Sequence, residues 1–411
     1  MPSIDTIIIG AGQAGLAMSR CLSDRSVPHV VIERGQVAHS WRTERWEGLR
    51  LLTPNWQSRL PGFAYRGPDP DGFMTMPQTI RYFEDYAGLS RVPVQEWTCV
   101  QSVTADAVGY RVQTDKGEWT CRNLVLATGA CNIAHVPDCA AGVPDDIVQL
   151  TPQKYRAPGQ LPKGGVLVVG ASATGVQLAS EIRAAGHEVT LAAGQHIRMP
   201  RHYRGRDIQW WMDRAGILDM TTAQVDDITR ARNLPSLQLI GSAAQRFVDL
   251  NALQDAGVEI TGRLATIRDG KAVFSGALAN HCALSDLKMN RLLAEIDDWA
   301  DAADMTGLPA PERFAPTRHA TLPRLGLPLS EGRIRSIIWA TGFRPDFSWL
   351  HMPVFDRKGR LAHDNGHVAP GLYVLGLPFL RHRNSALIDG VGRDAQALAD
   401  HLVASRHRHA A

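Results

Sequence analysis

Two stretches constrain this chain more than any others. IIIGAGQAGLA (7–17) and LVVGASATGVQLA (167–179) each pass from an apolar, β-branched run through a small-residue turn into a helical pattern. In the first, Gly10, Gly12 and Gly15 have the G-x-G-x-x-G spacing of a phosphate-cradling turn. Gly10 permits the tight turn, Gly12 lets a pyrophosphate approach the backbone, and Gly15 lets the helix pack closely on the strand. N–H groups at the helix start, backed by the helix dipole, then face the phosphates. Residues 4–9 read as a strand, Leu16 to Leu22 as a helix, and His29 to Ile32 as a second strand ended by Glu33. In a βαβ unit of this length, an acid at that place bonds the ribose hydroxyls of a dinucleotide.

The second stretch keeps the skeleton, with Gly170, Ser172 and Gly175. Val166 to Val169 read as its strand, Val176, Ala179 and Ile182 as one helical face, and Glu188 to Leu191 as the next strand. Ser172 is small enough for phosphate to approach and carries a donor. No acid ends the following strand; the sequence there is LAAGQHIRMPRHYRGRD (191–207). A carboxylate would repel a 2′-phosphate, whereas Gln195, His196, Arg198 and Arg201 offer donors and positive charge. This favours NADPH and leaves NADH open, because Gln and His also serve an unphosphorylated ribose. Two such loops call for two dinucleotides, one an adenylate-linked flavin and the other a nicotinamide that reduces it.

Strands alternating with helices imply doubly wound parallel sheets. LVLATGA (124–130) and IIWATGFRPD (337–346) echo each other on either side of the second unit. The expected architecture is α/β, with two Rossmann-like dinucleotide-binding domains, the NADPH domain inserted in the FAD domain. The boundaries fall at 1–158 and 326–411 for FAD and 159–325 for NAD(P)H. LTPQKYRAPGQLPKGG (150–165) reads as a Pro/Gly linker. Residues 285–303 read as an amphipathic helix capped by Ser285. The tail SRHRHAA, with His407 and His409, reads as a solvated end rather than a metal site.

The 411 residues carry a net charge of +3, which gives no reason to expect a nucleic-acid partner, whose signature is a clustered basic face. No apolar run approaches a membrane span. A strand beginning by about Ile4 leaves no room for a removable leader, so the expected location is the cytoplasm. Six cysteines without a C-x-x-C pair argue against a zinc ribbon and a dithiol redox centre.

GAGQAGLA, IERG, SWR, the two ATG stretches and GASATG together resemble the flavin-containing monooxygenases, class B flavoprotein monooxygenases of small bacterial type. GLRLLTPNWQSRLPG (48–62) and FRPDFSWL (343–350) strengthen the likeness, which spans nearly the whole chain. The resemblance implies FAD in the first domain and NADPH in the inserted one. It implies a C4a-(hydro)peroxyflavin that oxygenates a small soft nucleophile (N or S) or a ketone. A bound oxidised nicotinamide would shield that species from water. It assigns FAD contacts to Gly10, Gly12, Gln13, Ala14, Gly15, Glu33, Arg34, Trp41, Arg42, Thr53, Asn55, Trp56 and Val100. The Thr128–Gly129 and Thr341–Gly342 turns become domain crossovers, and Asp389 and Val391 lie near the flavin pyrimidine. Gly170, Ser172, Ala173, Thr174, Gln195, His196 and Arg198 become the NADPH contacts. Asn55 is the catalytic candidate, an amide that donates to the flavin peroxide without being a proton source.

The chain departs from the family's identifying motif, F-x-G-x-x-x-H-x-x-x-(Y or W). In DDIVQLTPQKY (145–155) Tyr155 fits, but Thr151 replaces the histidine and the Phe and Gly are missing. An NAD(P)H oxidase or reductase releasing H2O2 is therefore the alternative. A nucleotide-sensing or ion-transport regulatory subunit is the non-enzymatic one, since fold alone does not decide function. The expected partners are a small-molecule substrate and O2, with a homodimer as the candidate assembly. Trp46, Trp56, Trp210 and Trp211 are candidate pocket walls.

Overall fold

A computed structural model describes residues 2–107, 109–329 and 332–410, with side chains to Arg406 in the last helix. The side chains of His407 and His409 lie outside the described residues. The chain builds two separate parallel sheets. In the first, Ser3–Ile9 is central, between Gly117–Leu126 and His29–Ile32, with Leu372–Val374 and Val94–Gln95 beyond them, all parallel. Val100–Asp106 and Gly109–Thr114 form an antiparallel hairpin on Gly117–Leu126. His29–Ile32 is buried along its whole length, as a run covered by helices on both faces must be. The helix Gln13–Ser23 covers one face beside the last helix, Ile388–Ala410, and Arg25 and Asp400 pair between them at 2.7 Å.

The second sheet runs Val148–Leu150, Ile334–Trp339, Gly165–Val169, Val189–Ala193, Glu259–Gly262, again all parallel. Both faces carry their own apolar cores, one around Leu178 and Ile182, the other around Leu167 and Trp339. This pairing moves the expected boundaries. Residues 148–150 precede the division at 158, and 334–339 follow the one at 325, yet both stretches are strands of the second sheet. Local pattern carries no mark of which sheet an apolar strand joins.

The expected linker is not free. Tyr155 is fully buried, Arg156 donates to the Arg45 carbonyl at 2.7 Å, and the Glu47 N–H donates to the Arg156 carbonyl at 2.9 Å. The connections between the sheets are tied to each other. Phe343–Arg344 pairs antiparallel with Ile133–Ala134, and the His135 N–H donates to Gly342 at 2.9 Å.

The amphipathic helix starts earlier than expected and spans Leu278–Ala302. Its buried stripe begins at Leu278 and Cys282, so Ser285 lies inside the helix rather than at its cap. The buried Ser285 hydroxyl accepts the Arg198 N–H at 2.7 Å, satisfying a backbone donor of the facing strand-end loop. Trp211 packs beneath this helix with Ile208, Met289 and Leu293. No described helix is long and apolar enough to cross a membrane.

Candidate functional site

The two glycine turns are built alike. Gly10 (φ +106°) and Gly170 (φ +109°) occupy backbone space that disfavours any side chain. A Cβ on Gly10 would lie 2.7 Å from the Ala127 carbonyl oxygen, and one on Gly170 2.2 Å from that of Ala340. These alanines open the two Ala-Thr-Gly echoes, which explains the repeat: each echo follows the strand that flanks a loop strand. A Cβ on Gly15 would come 1.8 Å from the Gly10 oxygen, and one on Gly175 1.8 Å from the Gly170 oxygen. Gly12 differs, with nothing within 4 Å of its missing Cβ, so that face of the first turn is open to a ligand. Ser172 takes the matching N-cap place in the second turn and makes no capping bond.

Glu33 is buried at the end of its strand. One carboxylate oxygen accepts the Ala11 N–H at 2.7 Å and the other the Gly35 N–H at 3.1 Å. The group is thereby aimed before any ligand arrives, and each oxygen keeps a lone pair for a ribose hydroxyl.

A cavity of about 640 Å³ opens over the first turn. Gly10, Gly12, Gln13, Ala14, Glu33, Arg34, Trp41, Val100, Thr128 and Gly129 line it. The Thr128 hydroxyl is buried there without a hydrogen-bond partner. A second cavity, about 240 Å³, lies between the two turns and carries Thr53, Ala173 and Thr174. Gln13, Trp41, Glu44, Arg45, Cys131 and Ala386 belong to both walls, so the cavities meet. An open phosphate turn, an aimed carboxylate and an orphaned hydroxyl around one cavity fit an adenylate-linked flavin. The start of the second helix on the adjoining cavity fits a nicotinamide dinucleotide.

Other expected contacts lie elsewhere. Arg42 pairs with Glu84 and donates to the Val37 carbonyl at 3.1 Å. The buried Asn55 amide donates to the Asp69 carbonyl at 2.8 Å and lines neither cavity, so it ties down a turn. Trp56 lies under Arg59, whose carbon stands 5.7 Å from its ring. Arg59 holds Asp389 at 2.5 Å and Asp213 at 3.1 Å, joining the last helix to the helix Ile208–Arg214. Asp389 is thus engaged by a guanidinium, and Val391 is core. Ala386, Leu387 and Ile388, just before them, reach the cavity instead. Of the four tryptophans only Trp46 lines it, while Trp210 and Trp211 pack together near the long helix.

The coenzyme side departs most from expectation. Arg198 is buried between Asp249 at 2.6 Å and Asp286 at 2.8 Å. Arg201 is buried on Asp207 at 2.5 Å and donates to the Leu52 carbonyl at 2.8 Å. Both guanidiniums are thus spent on carboxylates of the fold. His196 is buried, which pushes its pKa down and keeps the ring neutral. With Nδ1–H assigned to the Gly194 carbonyl at 2.9 Å, Nε2 is a buried acceptor without a partner. Gln195 is exposed. A cation missed in the sequence stands beside it: a Cβ on Gly194 would lie 3.2 Å from the Arg263 side chain. Arg263 is exposed and has no ion pair among the described residues. Only the parallel pairing of Val189–Ala193 with Glu259–Gly262 brings it there.

A family model described as pyridine nucleotide-disulphide oxidoreductase matches residues 7–212. An uncharacterized CzcO-like oxidoreductase from Geobacillus kaustophilus is 30% identical, over 97% of this chain and 98% of its own. A flavin-containing monooxygenase from Stenotrophomonas maltophilia superposes with a TM-score of 0.67 at 20% identity, over 98% of this chain and 99% of that one. A complex of OTEMO with FAD and NADP gives 0.57 at 14%, over 99% of this chain and 85% of that one.

Proposed function

Because the chain belongs to the pyridine nucleotide-disulphide oxidoreductase family, we propose that it is an NADPH-dependent FAD monooxygenase. In this reading two Rossmann-like units hold the two dinucleotides, and the substrate is a small molecule. The carrying observation is the pair of glycine turns opening onto two cavities that meet at Gln13 and Trp41. Bound FAD, reduced by NADPH, supplies O2 activation and oxygen transfer. The Stenotrophomonas enzyme and the FAD- and NADP-bound OTEMO support that choice of chemistry.

The chain's own groups bind, orient and exclude water. The first turn and Glu33 hold the adenylate and ribose of FAD. Gln13 donates to the Ala386 carbonyl at 3.4 Å, linking the first turn to the segment before the last helix. Trp41 at the meeting point and Trp46 on the second cavity's wall keep bulk water out. Ala173 and Thr174, at the second helix start, receive the coenzyme pyrophosphate.

Purified holoenzyme should be yellow and consume NADPH and O2 in step with an oxygenated product from a panel of amines, sulfides and ketones. Stoichiometric H2O2 with every substrate would instead establish the oxidase reading that Thr151 raises.

For coenzyme choice, Arg263 and Gln195 take the role expected of Arg198 and Arg201. Arg263→Ala should lower kcat/KM for NADPH about tenfold, the worth of one charge-assisted contact, and leave NADH unchanged. Steady-state kinetics with both coenzymes read this ratio. Equal losses for the two would remove Arg263 from 2′-phosphate recognition.

A further inference from the structure

The second cavity combines apolar walls with unbalanced positive charge. Trp46, Leu49, Leu239 and Phe343 contribute the walls, and Arg45 and Arg50 contribute two guanidiniums. Neither arginine has a carboxylate partner among the described residues. Arg45 lies over the Trp41 ring at 5.4 Å, and its Nη1 donates to the Glu44 carbonyl at 2.9 Å. Arg50 Nη1 donates to the Phe73 carbonyl at 3.0 Å. Each side chain is thus anchored by a neutral group, with further N–H donors left over. Glu44, the one acid on this wall, is taken by Arg34.

We propose that this cavity selects a small monocarboxylate with an apolar body, its carboxylate seated on Arg45 and Arg50. The inference rests on the proposed function and adds the substrate to this cavity, whose Ala173 and Thr174 side receives the coenzyme. A planar guanidinium is suited to a carboxylate, and stacking on Trp41 pre-orients that of Arg45. Both side chains are half-buried, so water screens the attraction less than at an open surface. Two uncompensated cations would disfavour a cationic amine in the same place and accept an acid. The apolar walls then favour an aryl or alkyl body over a sugar or a polyol. A coenzyme pyrophosphate is the other anion that could claim these arginines, and the experiment separates the two.

The test uses FAD-loaded enzyme and isothermal titration with phenylacetate, its neutral isostere phenylacetamide, and NADP⁺. Wild type should bind phenylacetate at least about tenfold more tightly than the amide, the discrimination expected from one or two charge-assisted bonds. Arg45→Gln and Arg50→Gln should each cut phenylacetate affinity about tenfold while leaving the amide and NADP⁺ unchanged. Arg50→Lys, which keeps the charge, should retain part of the preference and serves if loss of the Phe73 contact unfolds Arg50→Gln. No preference for acid over amide in the wild type would overturn the proposal. So would variants that weaken NADP⁺ and spare phenylacetate. Because binding is read without turnover, an enzyme that binds the acid yet releases only H2O2 would sink the monooxygenase reading alone.

Discussion

Gly175→Ala should leave the protein yellow with FAD but lower its affinity for NADPH by about 100-fold, the scale of a one-ångström misplacement at a binding element. The new methyl would sit 1.8 Å from the Gly170 carbonyl oxygen, so the helix Ala173–Ala184 must lift off its strand. Thr174, at its start, is carried out of the second cavity. Gly15→Ala creates the same 1.8 Å clash with the Gly10 oxygen in the first unit. That helix packs under the central strand of the larger sheet, so this variant should be purified colourless or not at all. Flavin absorbance after gel filtration and NADPH titration of the yellow protein measure the contrast. A Gly175→Ala enzyme with unaltered NADPH binding would mean that the second turn does not hold the coenzyme.

Arg198→Ala should destabilise the protein by about 3–5 kcal/mol, the usual loss when one partner leaves a buried ion pair. It leaves Asp249 and Asp286 facing each other's charge in a closed site, each within 2.8 Å of the lost guanidinium. Asp249 also caps the helix Leu250–Asp255, and Asp286 holds Thr317, so the damage spreads to two further segments. The ratio of NADPH to NADH use in the surviving folded enzyme should not move. Thermal unfolding and paired coenzyme kinetics distinguish this from Arg263→Ala, which should alter the ratio and spare the melting temperature. An Arg198→Ala protein of normal stability but altered coenzyme ratio would reverse the assignment.

The contrast between Arg198 and Arg263 shows where sequence reading stops. A basic run after a strand looks the same whether its guanidiniums face a phosphate or a buried aspartate. The partners of Arg198 are 51 and 88 residues away in the chain, so no local spacing could reveal them. Asn55 is alike in kind: one amide N–H is spent on the Asp69 carbonyl across a turn, while its Oδ1 is buried without a partner. Arg45 and Arg50 passed unnoticed because a lone arginine carries no pattern; what distinguishes them is the lack of a counter-charge, a property of the fold.

What the sequence determined by itself is whatever depends on neighbours along the chain. Both glycine turns, the helices behind them and Glu33 at its strand end are of that kind. Steric exclusion of a Cβ and the reach of one βαβ unit act over some thirty residues. The Ala-Thr-Gly echo was legible too, although its reason is tertiary: each echo presses a carbonyl against the first glycine of a loop. Tertiary structure alone decided that Ile334–Trp339 joins the second sheet, that the two cavities meet at Trp41, and which cations stay free. Those outcomes turn on strand pairing and charge pairing between distant segments, where burial rather than residue type settles which groups are consumed in holding the fold and which remain to bind.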